Sequence, residues 1–77
     1  MKRHEVAIRI FELAARYHPG VADVYLALAL AYDEGGLAPQ ARSSLKDALA
    51  RSQDQAEKEK IRLEIERLDK NKEEKQE

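Results

Sequence analysis

The chain has 77 residues, of which 43% are apolar and 38% charged, and its formal net charge is −1. This length allows one small domain with a thin core. The balanced charge argues against a dedicated nucleic-acid or membrane-surface binder, and the lack of cysteine excludes disulfides and thiol catalysis.

Apolar residues at helical spacing predict four helices and no strand. The predicted helices span residues 3–17, 22–34, 38–51 and 54–69. His18-Pro19-Gly20 predicts the first turn, because proline cannot continue a helix and glycine opens conformations closed to other residues. Gly35-Gly36 predicts the second turn. The sequence therefore indicates an all-α fold of antiparallel helices.

Charge is concentrated in the last part of the chain. The first 50 residues contain 12 charged side chains and the last 27 contain 17. Residues 71–77 offer nothing to bury, so we expect one helical domain over residues 1–70 and a charged, disordered tail over 71–77. Val24–Tyr32 is uncharged but far shorter than the roughly 20 residues of a membrane span. We expect no signal peptide, no membrane contact and a cytoplasmic location.

The strongest pattern is an internal repeat of 34 residues between helices one and three. The matched pairs are Ala7 with Ala41, Phe11 with Leu45, and Ala14 with Ala48. A period of this length is typical of helix–turn–helix repeat arrays. Phe11, Leu28, Tyr32 and Leu45 are expected to be among the most buried side chains.

Two motifs then connect the chain to a known family. Helix two carries Tyr25-x2-Leu28-Ala29-x2-Tyr32, and helices one and three carry Ala7-x3-Phe11 and Ala41-x3-Leu45, with Pro19 closing the former. With these motifs the sequence resembles the tetratricopeptide repeat family over about residues 3–53. Gln53 replaces the closing proline of the second unit, and helix four loses the register. We therefore expect helix four to be a polar capping helix. An unrelated four-helix bundle is the alternative.

The resemblance implies that the first helix of a repeat lines a concave, partner-binding surface. The candidate residues carried over by position are Asp23, Leu26, Leu30, Asp33 and Glu34. Leu26 and Leu30 replace the basic and amide residues with which family members capture a peptide carboxylate. An apolar surface with an acidic rim instead predicts an amphipathic partner with basic flanks. Alternatively, helix four covers these two leucines.

Helix one has apolar residues beyond those that the repeat pattern turns inward. The edge residues are Val6, Ile10, Leu13 and Tyr17. Helix one resembles the second helix of a repeat, so this edge lacks the covering that the first helix would give. A homodimer formed through this edge is the second function that the sequence predicts. Excision from a longer array would leave the same edge.

Catalytic chemistry has no support in the sequence. His4-Glu5 begins like a zinc-protease motif, but Ile8 stands where the second histidine is needed. His18 lies in a turn without a partner at ligand spacing. We expect a non-enzymatic module with no catalytic, metal or cofactor site.

Overall fold

The computed structural model describes the backbone of residues 3–75 and the side chains of residues 3–70. Its four helices are α1 Arg3–Tyr17, α2 Ala22–Glu34, α3 Ala38–Arg51 and α4 Gln55–Lys75. The described residues contain no strand. The predicted all-α helix-turn-helix class is therefore confirmed.

Helix α4 differs most from its predicted span. It begins one residue later than expected and its backbone stays helical to Lys75. The domain boundary at residue 70 and the disordered tail remain predictions, because the side chains of residues 71–77 lie outside the described part. No described helix has the length and apolar character needed to cross a membrane.

The helices pack as consecutive hairpins, α1 on α2, α2 on α3 and α3 on α4. The larger core cluster joins the last three helices and consists of Tyr25, Ala29, Ala41, Leu45, Ala48, Ile61 and Leu68. Alanines 29, 41 and 48 are at most 3% exposed. Their small side chains let α2 and α3 approach closely, and the larger residues around them fill the remaining volume.

A smaller core cluster holds α1 against α2. It consists of Ile8, Leu28 and Ala31, with Phe11 and Tyr32 packed at its margin. Leu28 and Leu45 are buried as predicted. The prediction for Phe11 and Tyr32 is wrong, since both are only half-buried. The cause is that α1 is covered by α2 on one side, which leaves the margin of this cluster open.

The α2–α3 turn depends on both of its glycines. Gly36 has a φ of 78°, in the left-handed region that favours glycine. Its N–H donates to Asp33 O at 3.0 Å and the Leu37 N–H donates to Tyr32 O at 2.8 Å, which together form a Schellman motif. A Cβ atom on Gly35 would lie 2.8 Å from Cδ2 of His4. The lack of a side chain on Gly35 therefore leaves room for His4 at the start of α1.

Arg51, at the end of α3, ties that helix to the α1–α2 turn. Its guanidinium lies over the Tyr25 ring, 4.3 Å from the centroid. The Nε–H donates to the carbonyl of Pro19, and Nη1 donates to the carbonyl of Asp47 at 3.0 Å. One side chain thus combines a cation–π contact with two hydrogen bonds to backbone carbonyls.

Helix α4 starts at a defined cap and docks on α3. The Ala56 N–H donates to Oδ1 of Asp54 at 3.1 Å, as expected for an N-cap aspartate. The Ser52 hydroxyl donates to Oε1 of Glu57 at 2.6 Å. Farther along, Arg42 of α3 donates to Oδ1 of Asp69 at 2.8 Å. These contacts fix which face of α4 turns toward α3.

Candidate functional site

A groove lies between α2 and α4, because these two helices flank α3 without packing on each other. Two adjoining cavities of about 260 Å³ and about 150 Å³ form it, and they share Leu26 and Glu64. Buried residues of the core form its floor, namely Ala29, Leu45, Ile61 and Leu68. We call this feature the α2–α4 groove.

The α2 wall of the groove is apolar. Leu30 is 61% exposed, and Leu26 is half-buried at the margin of the larger core cluster. A leucine this exposed beside a buried apolar floor is surface that a partner can still cover. Helix α4 therefore does not shield Leu30, whereas Leu26 already contributes to the core.

The charged residues around the groove are mostly acidic. Four carboxylates line the two cavities, those of Asp33, Asp54, Glu57 and Glu64, together with the two cations Lys60 and Arg67. Acidic side chains at the edge of an apolar groove favour a cationic partner and disfavour an anionic one. Of these four carboxylates only that of Asp33 was expected at the rim, and those of Glu57 and Glu64 come from α4.

Arg67 crosses one end of the groove. Its Nη2 lies 3.1 Å from Oδ2 of Asp33 on α2 and 2.9 Å from Oε1 of Glu64 on its own helix. Both carboxylates raise the pKa of the Arg67 guanidinium, Glu64 more than Asp33. The Arg67 side chain is about half exposed. Solvent therefore screens this contact, and it can be exchanged for another cation.

The predicted concave residues separate into two groups. Leu26, Leu30 and Asp33 lie together on the groove wall. Asp23 and Glu34 are exposed and line neither of the two cavities. The two cavities extend along α2 only from Leu26 to Asp33. The carboxylates of Asp23 and Glu34 therefore lie beyond the ends of the groove.

Four charged groove residues on α4 were not predicted as site residues. They are Glu57, Lys60, Glu64 and Arg67, which lie at i, i+3, i+7 and i+10 and therefore share one helix face. This spacing is visible in the sequence, but the loss of the repeat register in helix four hides which face turns toward α2. Charged residues at this spacing are also typical of any solvated helix.

A second surface lies on α1. The exposed fractions are 59% for Val6, 57% for Ile10, 51% for Leu13 and 74% for Tyr17. These four residues form one stripe along the helix, at spacings of four, three and four. We call it the α1 stripe. It faces away from α2, since Ile8 of α1 is the residue buried against that helix.

The described residues hold no group of three or more histidine, aspartate or glutamate side chains arranged to bind a metal ion. The α2–α4 groove is lined by carboxylates, cations and leucines, with neither histidine nor serine among its lining residues. Its two cavities, of about 260 Å³ and about 150 Å³, are smaller than the pockets of roughly 300–1,000 Å³ that hold small ligands. This arrangement can bind a partner surface that carries both apolar and charged side chains.

Helical hairpins stacked in series, with one helix of each hairpin lining a groove, define a helical repeat protein. The sequence model of the tetratricopeptide repeat family matches residues 1–59 of this chain. The chain therefore belongs to the tetratricopeptide repeat family, whose repeats are in general non-catalytic protein-interaction modules. Searches of curated proteins and of solved structures gave no significant match.

Proposed function

We propose that this interaction module binds an amphipathic helix with basic flanks in the α2–α4 groove. The observation that carries the proposal is Leu30, which is 61% exposed above a buried apolar floor. Apolar side chains of a partner helix can fill such a groove at i, i+3 and i+4 spacing. The basic flanks would then meet the carboxylates of Asp54, Glu57 and Glu64. The expected cytoplasmic location stays a prediction.

A synthetic helical peptide of leucine and lysine tests this proposal, with the corresponding leucine and glutamate peptide as the charge control. Fluorescence anisotropy should show saturable binding of the lysine peptide that weakens as salt is raised. The glutamate peptide should bind at least about tenfold more weakly, because it meets like charges at the rim. Equal binding of both peptides would contradict an acidic groove as the site.

Leu30→Lys is the variant that localises the binding. Leu63 offers a matched control, because it is also 61% exposed but lines neither of the two cavities. Leu30→Lys should abolish binding of the lysine peptide, whereas Leu63→Lys should leave it unchanged. Both proteins should keep the helical circular dichroism spectrum of the parent. Identical behaviour of the two variants would show that the peptide binds elsewhere.

Self-association through the α1 stripe is a second function that a separate observation favours. Four apolar side chains, each more than half exposed, lie in one row on α1. A contiguous apolar patch of several hundred Å² commonly marks a protein-interaction site. Sedimentation equilibrium at rising micromolar concentrations should show a reversible dimer that Ile10→Glu dissociates. A monomer mass at every concentration, with or without the substitution, would refute self-association.

A further inference from the structure

Beside the α1 stripe runs a row of four charged residues whose signs alternate. The row is Glu5, Arg9, Glu12 and Arg16, and all four are exposed. Their spacings of four, three and four make the row symmetrical about its midpoint. The α1 stripe has the same spacings and is displaced from the row by one residue.

The charges of this row are complementary to those of a second copy only when the two helices run in opposite directions. Against a second α1 running antiparallel, Glu5 faces the partner's Arg16, and Arg9 faces the partner's Glu12. In a parallel twofold pair the two rows would lie on opposite sides of the contact and would not face each other. Only the antiparallel orientation therefore brings the two charged rows together.

The α1 stripe agrees with the same arrangement. Antiparallel pairing places Val6 against the partner's Tyr17 and Ile10 against the partner's Leu13. The midpoint of the stripe lies one residue from that of the charged row. Because antiparallel chains shift in opposite directions, the two pairings differ by an axial offset of about 3 Å, which flexible arginine side chains can span. Glu12 remains able to pair, because the Tyr32 hydroxyl donates to its Oε2 at 2.6 Å and its Oε1 can accept from an arginine.

We propose that a second copy of this chain covers the α1 stripe, with the two α1 helices antiparallel about a twofold axis and the charged rows in register. The proposal deepens the self-association described above and rests on it. A twofold contact uses the same patch on both chains, and a self-complementary charge row satisfies that requirement. Because one 15-residue helix supplies the patch, the interface is small and the dimer should be weak and reversible.

Charge exchange is the first test. Arg9→Glu with Arg16→Glu makes the row entirely acidic, and Glu5→Arg with Glu12→Arg makes it entirely basic. Each double variant alone should dimerise at least about tenfold more weakly than the parent in sedimentation equilibrium. An equimolar mixture should recover a heterodimer of parent affinity, because every antiparallel contact again joins opposite charges. Failure of the mixture to associate, with both proteins helical, would overturn the proposed register.

Disulfide trapping is the second test and reports the orientation directly. The chain has no cysteine, so Val6→Cys and Tyr17→Cys each introduce a unique thiol. Antiparallel helices place these two positions face to face, whereas identical positions lie about 16 Å apart along the axis. Mild oxidation should therefore crosslink the mixture and leave each variant alone uncrosslinked.

The outcomes separate this proposal from the one on which it rests. Crosslinking of Val6→Cys with itself would show a parallel dimer and overturn the orientation while leaving self-association intact. If the parent protein dimerises and neither the charge exchange nor Ile10→Glu weakens the dimer, the interface lies outside α1. A parent protein that is monomeric throughout would refute self-association itself, as expected if another segment covers the α1 stripe.

Discussion

Replacing Ile61 by alanine tests whether α4 docks on α3 as the structure describes. Ile61 is 2% exposed and lies in the larger core cluster with Tyr25 and Leu45. Truncation of a buried isoleucine to alanine costs about 2–5 kcal/mol, since apolar contacts are lost and a cavity is left. A chain of this length has a total stability of about 4–12 kcal/mol. The substitution should therefore remove a large fraction of the free energy of unfolding.

Leu63, two residues farther along the same helix, is the matched control. It is 61% exposed, so Leu63→Ala should change the free energy of unfolding by no more than about 0.5 kcal/mol. Urea denaturation followed by circular dichroism at the helical minimum measures both variants on one scale. The contrast between the two, rather than either value alone, identifies the face of α4 that is buried.

Two results would refute this reasoning. Equal destabilisation by both substitutions would mean that α4 is turned differently about its axis, and a loss below about 1 kcal/mol for Ile61→Ala would mean that the site is not buried. Because α4 packs on α3 and not directly on α2, the substitution can also undock α4 before the other helices unfold. A reduced denaturant slope would reveal that separate transition.

Three further predictions concern single contacts. Arg51→Met should cost about 1–2 kcal/mol of unfolding free energy in urea, because it removes the cation–π contact with Tyr25 and two hydrogen bonds to carbonyls; no measurable change would contradict this. Asp54→Ala should cost about 1 kcal/mol through loss of the α4 N-cap, again measured in urea. The hydrogen bond to Glu12, the largest cause, raises the pKa of Tyr32 to about 12, so stability should hold below pH 10 and fall as pH rises toward 12. Glu12→Gln should lower the pKa of Tyr32 toward its ordinary value, as spectrophotometric tyrosine titration measures.

The helices and turns were predictable because local chemistry determines them. The Pro19–Gly20 and Gly35–Gly36 turns interrupt apolar runs with residues that end helices, and α1 and α2 have their predicted bounds. The Schellman motif shows why: only glycine adopts the φ of Gly36 at little cost. Where one residue type is nearly obligatory, the sequence identifies the structure directly.

Burial and groove geometry were less predictable because they depend on how far neighbouring helices extend. The repeat pattern placed Phe11 on the face of α1 that packs inward. It could not show that the ring would remain half-buried at the margin of the smaller core cluster. The resemblance to the repeat family likewise grouped Asp23 and Glu34 with Leu30, although the cavities end before reaching either carboxylate. Arg67 was missed because its partner Asp33 lies on another helix.

The two proposed surfaces lie on opposite sides of α2, and this separation leads to a last prediction. The α2–α4 groove lies toward α4, whereas the α1 stripe faces away from α2 on the far side of α1. Leu30→Lys should therefore abolish binding of the leucine–lysine peptide without changing the dimer, and Ile10→Glu should dissociate the dimer without changing peptide affinity. At saturation the parent dimer should hold two peptides, as sedimentation with a labelled peptide measures. Loss of peptide binding in Ile10→Glu would place the peptide on α1, and dissociation of the dimer by Leu30→Lys would place the dimer interface at the groove.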